Sequence, residues 1–212
     1  GATSFAAVAP NKPAITQVGN MTDTYASSPY LTMATSLVVN GSLTAGGLWL
    51  FGGATLTLSG AGSSIPVGKV LWVTGTLVNT GGLNVAGQLS MFGTSTVTGS
   101  TPNYAANSLL SYDSNVSRLT GIELPAVMPG NVNFTTSGLM TLSAATTIAG
   151  TFYIGGNRLL TTAANMLTIT NTAAGAVTGS SSTAYVDGPM QRAMPAGASV
   201  GTWLFPVGKG GS

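Results

Sequence analysis

Few residues in this 212-residue chain could act as acids, bases, nucleophile partners or metal ligands. It contains no His and no Cys. That removes disulfides, Cys-based zinc sites and the base of any Ser–His or Cys–His pair. The only carboxylates are Asp23, Asp113, Glu123 and Asp187. A glycosidase-like pair or a carboxylate metal cage needs two or more acids converging in space, and the nearest two, Asp113 and Glu123, stand ten residues apart. The expectation is a protein with no catalytic residue, no metal and no cofactor.

The remaining polar signals are local. Asp113-Ser114-Asn115 has the alternating oxygens of a partial calcium loop, but the central Gly and downstream Glu of the full loop are missing. An Asx-type turn is expected there instead. Asn20, Asn40, Asn115 and Asn133 each open an Asn-x-Ser/Thr triplet, as chance provides in a chain with 31 Thr, 22 Ser and 13 Asn. The cations Lys12, Lys69, Arg118, Arg158, Arg192 and Lys209 are scattered singly. Nucleic-acid binding requires clustered cations that release counterions, so no nucleic-acid partner is expected.

Aromatic residues offer a different chemistry. Trp49, Phe51, Trp72 and Trp203 are expected as packing or interface residues, with a platform for sugar rings as the alternative role. Thr-x-Thr pairs at Thr55/Thr57, Thr94/Thr96/Thr98 and Thr168/Thr170 could pattern water as ice-binding solenoids do. They fall in separate stretches without a common period, and solvent-facing strand threonines are the simpler expectation.

Composition limits what can carry these residues. Charged side chains are 5% of the chain, at a net charge of +2, against about 25% in an ordinary soluble domain. Gly numbers 30, and with Ser, Thr and Asn it makes up nearly half of the sequence. Hydrophobic residues reach 44%, enough for a core. A surface of hydroxyls and amides suits a long-lived extracellular fibre better than a cytoplasmic protein dispersed by charge. No apolar run approaches the ~18 residues of a membrane span.

No stretch has helical period, and β-branched residues dominate the apolar positions, which favours strands. From Ser36 the chain reads as short strands cut by glycine: 36–39, 48–51, 55–58, 70–73, 83–85 and 89–92. Gly41-Ser42-Leu43 with Gly46-Gly47-Leu48-Trp49-Leu50 matches Gly75-Thr76-Leu77 with Gly81-Gly82-Leu83-Asn84-Val85 at an offset of 34 to 35 residues. Strands of this length suit a β-solenoid, a parallel β-helix with glycine at its corners, whose coils satisfy one another's ladder hydrogen bonds. Half the offset, about 17 residues, is the coil length this implies. β-Sandwich modules are the alternative fold. Leu48-Trp49-Leu50-Phe51 and Val70-Leu71-Trp72-Val73 are apolar on both strand faces and call for cover on both sides.

Four segments follow. Residues 1–35 are an N-terminal extended segment that could cover those strands, and 36–102 are a Gly-rich β-repeat region. After the rhythm breaks at Ser100–Pro102, 103–183 form a second β-repeat region with a charged loop containing Arg118 and Glu123. Residues 184–212 read as the start of a further β module, cut short, with longer and antiparallel strands.

In the second half, Glu123-Leu124-Pro125 opens a run through Leu142–Ile148, Gly150-Thr151-Phe152 and Leu167-Thr168-Ile169. The run closes with Ala184-Tyr185-Val186-Asp187-Gly188-Pro189 and Phe205-Pro206-Val207-Gly208-Lys209. Over Ser108–Ser212 this resembles repeat regions of the large adhesin-like surface proteins that Bacteroidota export by the type IX secretion route. Residues 1–99 are similar to that class in composition, and also to filamentous-haemagglutinin repeats. The resemblance implies a secreted, cell-surface or filament role and transfers no catalytic residue. The expected function is therefore a load-bearing, self-associating structural module of an extracellular bacterial fibre or adhesin. Its partners would be copies of itself or neighbouring repeats of a longer chain, with surface glycans a further candidate. A glycan- or ice-binding solenoid module is the alternative.

Overall fold

Alternation decides the fold: the inward residues of the short strands are mostly apolar and many outward ones are polar, so successive strands wrap one core. A computed structural model describes residues 15–17, 19–22, 31–33, 36–197 and 201–209. It is a parallel β-solenoid of about eight turns; among the described residues there is no α-helix and one 3-10 turn, at Ala174–Ala176. Each coil places one strand on each of three faces.

The third face is one sheet of eight strands running from Leu31–Met33 to Val177–Thr178. Its inward residues stack in two columns. Leu48, Leu71, Leu89, Leu110, Val132 and Phe152 form one. Leu50, Val73, Met91, Tyr112, Phe134 and Ile154 form the other. All twelve are buried, and each such aliphatic or aromatic side chain contributes roughly 1.5–3 kcal/mol relative to exposure. Ring contacts at 5.0 Å (Tyr112–Phe134) and 5.6 Å (Phe134–Phe152) lock the second half of these columns.

The other two faces are each made of two sheets. On the first face, five strands from Ile15–Gln17 to Thr96–Gly99 form one sheet, and five from Arg118–Leu119 to Val207–Gly208 form another. On the second face, five strands end at Asn103–Tyr104 and four begin at Val127–Met128. Only the third face crosses the break, through Leu109–Asp113 and Asn131–Phe134. The discontinuity falls after Asp113; at 100–102 the chain is still in register, with Gly99 paired to Asn79 and Asn103 to Asn84.

The coil is longer than half the sequence offset. Leu77 pairs with Leu56 of the coil before it and with Val97 of the coil after it. A three-faced coil with that spacing allots about seven residues to a face. The match between Gly41–Leu50 and Gly75–Val85 therefore spans five faces and not two coils. Leu43 and Leu77 indeed lie on different faces. The self-similar unit in the sequence is one face with its corner.

Corner glycines do two jobs. Gly82 (φ +89°) takes a left-handed turn, which a Cβ disfavours. Its neighbour Gly81 has no such φ; there a Cβ would fall on the carbonyl of Gly60, whose own would fall on the backbone of Asn40 and Gly41. Gly41, Gly60 and Gly81 thus form a column where successive corners touch backbone to backbone.

The C-terminal expectation is corrected. Val186–Asp187, Met190–Arg192 and Val207–Gly208 are two or three residues long and pair parallel. They extend the existing sheets because their inward residues continue the same columns: Val186 follows Met140 and Leu159. Parallel pairing throughout also removes the β-sandwich alternative, whose sheets are antiparallel. Within 1–35, the strands Ile15–Gln17, Met21–Thr22 and Leu31–Met33 build the first coil in register; residues 1–14 and 23–30 lie outside the described residues.

Candidate functional site

Three features rise above the regular coil. The first lies at the break between the two stacks. Arg118 occupies the inward column later filled by Met140 and Leu159, and its side chain turns back toward the preceding coil. Nη1 donates to Gly93 O and Ser95 Oγ, both at 3.2 Å, and Nη2 donates to Ser95 O at 2.8 Å. Nη2 also lies 3.5 Å from Oε1 of Glu123, with the two side chains 7% and 1% exposed. The expected charged loop is therefore a buried ion pair. A bare carboxylate there would be costly, but Oε1 accepts from Tyr112 Oη at 3.0 Å and from Gly121 N–H at 2.7 Å. The guanidinium lies 5.1 Å from the Tyr112 ring centroid, and Tyr104 Oη donates to Glu123 O at 2.7 Å.

Burial pushes the Tyr104 hydroxyl well above its ordinary range, and the Glu123 charge adds to the shift. The same two causes, burial first, raise Tyr112. A cleft of about 340 Å³ opens beside the pair, between Thr96 of one stack and Leu119 of the next. Its one carboxylate is engaged through Oε1 by Arg118, Tyr112 and Gly121, and among the described residues no three acidic groups gather that could hold a metal. The arrangement joins two stacks; it offers no second acid for proton transfer.

The second feature is aromatic. Trp49 and Trp72 are in-register neighbours on the outer side of the third face, with ring centroids 6.4 Å apart. Trp49 stacks on Phe92 at 6.1 Å and meets Phe51 edge-on at 5.9 Å. Phe51 is 50% exposed, whereas both tryptophans are half-buried against one another. Phe92 belongs to this group and sequence spacing did not reveal it, because it lies two coils from Trp49 along the stack. Trp203 lies elsewhere, donating from Nε1 to Thr172 O at 3.1 Å.

The third feature overturns the expectation that the threonine pairs share no period. Thr55, Thr76 and Thr96 are aligned on three successive coils of the first face, as are Thr57, Val78 and Thr98. All six are outward and at least partly accessible. A further outer column, Ser59, Thr80 and Ser100, runs along the adjoining corner, where Ser59 Oγ and Thr80 Oγ1 donate to the carbonyls of Val39 and Leu58. Thr168, by contrast, stacks on Thr147 on the second face.

The other residues take structural posts. Asp113 accepts from Ser111 Oγ at 2.8 Å and from Thr135 Oγ1, while Ser114 Oγ accepts from Val116 N–H at 3.1 Å. Asp187 pairs with Arg158 at 2.9 Å. Asp23 lies outside the described residues. Arg192 ends the inward column Met128–Ile148–Ile169 and donates to the carbonyls of Leu204, Ala173 and Ala174. The two phrases behind the family resemblance stack directly: Val186 pairs with Val207 and Asp187 with Gly208. They occupy one position in consecutive coils.

No protein-family model, curated protein or solved structure matches the chain.

Proposed function

We propose that this chain is a load-bearing, non-catalytic structural module of an extracellular bacterial surface fibre or adhesin. The observation that carries the proposal is the unbroken eight-stranded sheet of the third face. It holds both stacks in one hydrogen-bonded ladder across the level where the other faces stop. Force along the solenoid axis would pass, at that level, through the ladder between Leu109–Asp113 and Asn131–Phe134 and the buried Arg118–Glu123 cluster beside it. A chain with only 5% charged residues fits a packed, long-lived assembly. The stacked Tyr-Val-Asp-Gly-Pro and Phe-Pro-Val-Gly-Lys phrases support the family resemblance by giving it a structural unit, one strand position repeated in consecutive coils.

Self-association would use the outer aromatic group around Trp49, Trp72 and Phe92. Trp49 stacks on Phe92, lies tilted against Trp72 and takes the edge contact with Phe51; a cluster packed this closely suits apolar contact better than an open platform for sugars. Association of this kind should survive high salt, which screens only charges. The test is light scattering and electron microscopy of the purified chain at low and high salt, with Trp49→Ser/Trp72→Ser beside it. Salt-resistant oligomers or filaments that the double variant loses would support the reading. A compact monomer in both salts would refute subunit assembly, and dissolution on raising salt would refute the apolar mechanism.

A further inference from the structure

We infer that the outer surface of the first face, carried by Thr55, Thr57, Thr76, Val78, Thr96 and Thr98, is an ice-binding face. The inference does not rest on the fibre reading.

Register fixes the face. Thr76 is aligned between Thr55 and Thr96, and Val78 between Thr57 and Thr98. Neighbouring strands lie about 4.8 Å apart, and outward residues of one strand repeat about every 6.6 Å. The result is a two-dimensional net of hydroxyls and methyls whose spacing is set by the backbone ladder, not by loose side chains. Ser36 extends it by one coil, since its Oγ accepts from Thr55 N–H at 3.1 Å. Thr96 Oγ1 donates to Thr76 Oγ1 at 3.4 Å, which aligns the two hydroxyls and leaves the Thr76 proton and the lone pairs of Thr96 for water.

Such a net selects a partner that is itself periodic. No Lys, Arg, Asp or Glu stands among these positions, so the face has no charge with which to complement an ionic surface, a nucleic acid or an anionic lipid. No aromatic ring stands among them either, which disfavours the faces of sugar rings. Water held in a crystal lattice meets both conditions. Its surface is uncharged, and a threonine hydroxyl can both donate to and accept from water; Thr96, whose proton goes to Thr76, accepts. The methyls of threonine and valine exclude misplaced waters between those sites.

One hydroxyl–water contact contributes little. An array fixed in advance loses little entropy on binding and engages many lattice positions at once, so the contacts reinforce one another. Curvature of the ice front between adsorbed molecules would then hold back growth.

The experiment uses the purified full chain in a nanolitre osmometer, with a fluorescently labelled sample on a single ice crystal. Faceted crystals, a gap between melting and freezing temperatures, and labelled ice planes are expected. Thr76→Lys, at the centre of the net, should lose most of that gap. Ser64→Lys, on the outer side of the second face, should keep it, at an unchanged melting temperature of the protein. Thr98→Tyr, on an exposed strand, repeats the test should the central lysine disturb folding. Rounded, unlabelled crystals with no gap would overturn the proposal. So would equal losses in Thr76→Lys and Ser64→Lys, or retention on microcrystalline cellulose or chitin without any effect on ice.

Discussion

Arg118 Nη2 stands 3.5 Å from Glu123 Oε1 inside the coil, at the level where only the third face continues. Each charge is held by more than the other. Arg118 donates to backbone carbonyls of the preceding coil, and Glu123 accepts from Tyr112 and Gly121. Removing one partner strands the other in a dry site. Glu123→Ala should therefore cost about 3–5 kcal/mol, whereas replacing both charges with apolar residues of similar volume should cost much less. Denaturant melts of the single and double variants check this; a single variant as stable as the parent would show that the pair contributes nothing.

The same cluster sets an alkaline limit. Tyr104 and Tyr112 have folded-state pKa values raised above the ordinary 10.0 by burial and by Glu123. The fold thus favours the protonated hydroxyls. Their contribution is fully present below pH about 10 and is lost as pH rises from there toward the folded values. Stability should be flat in this respect through neutrality and fall above that point. In Tyr104→Phe/Tyr112→Phe the fall should be shallower, read from melting temperatures across an alkaline series.

Corner contacts can be tested with two alanines. At Gly81 a Cβ would collide with Gly60 of the coil below, while at Gly175 nothing lies within 4 Å. Gly81→Ala should destabilise by about 1–3 kcal/mol, the usual cost of overpacking. Gly175→Ala should stay within about 0.5 kcal/mol of the parent. Equal effects at both positions would mean that coils can shift to accept a corner side chain.

Chelation should leave the melting temperature unchanged. The chain has four carboxylates, no His and no Cys, and a bound ion would stabilise the folded state by mass action. A fall of several degrees in the presence of EDTA would reveal a site that these residues do not suggest.

The class of fold was legible in the residues alone. Apolar residues at alternate positions, β-branched strands and glycine at short intervals leave a parallel coil as the arrangement that buries one side of every strand. The break between the two stacks was not legible, because it falls after Asp113, whereas the lapse in pattern near Ser100–Pro102 is a corner that stays in register. Coil length was not. Matching Gly41–Leu50 with Gly75–Val85 detects a face and its corner, and one-dimensional similarity cannot say how many faces close a turn. Stacking in three dimensions settled that a turn has three faces and carries the chain from Leu56 to Leu77. That period then governed everything lateral: it set Thr76 between Thr55 and Thr96, brought Phe92 to Trp49, and turned Arg118 inward to meet Glu123. Contacts along the stack depend on modular distance around the coil, so a small error in the period moves each side chain to a different neighbour.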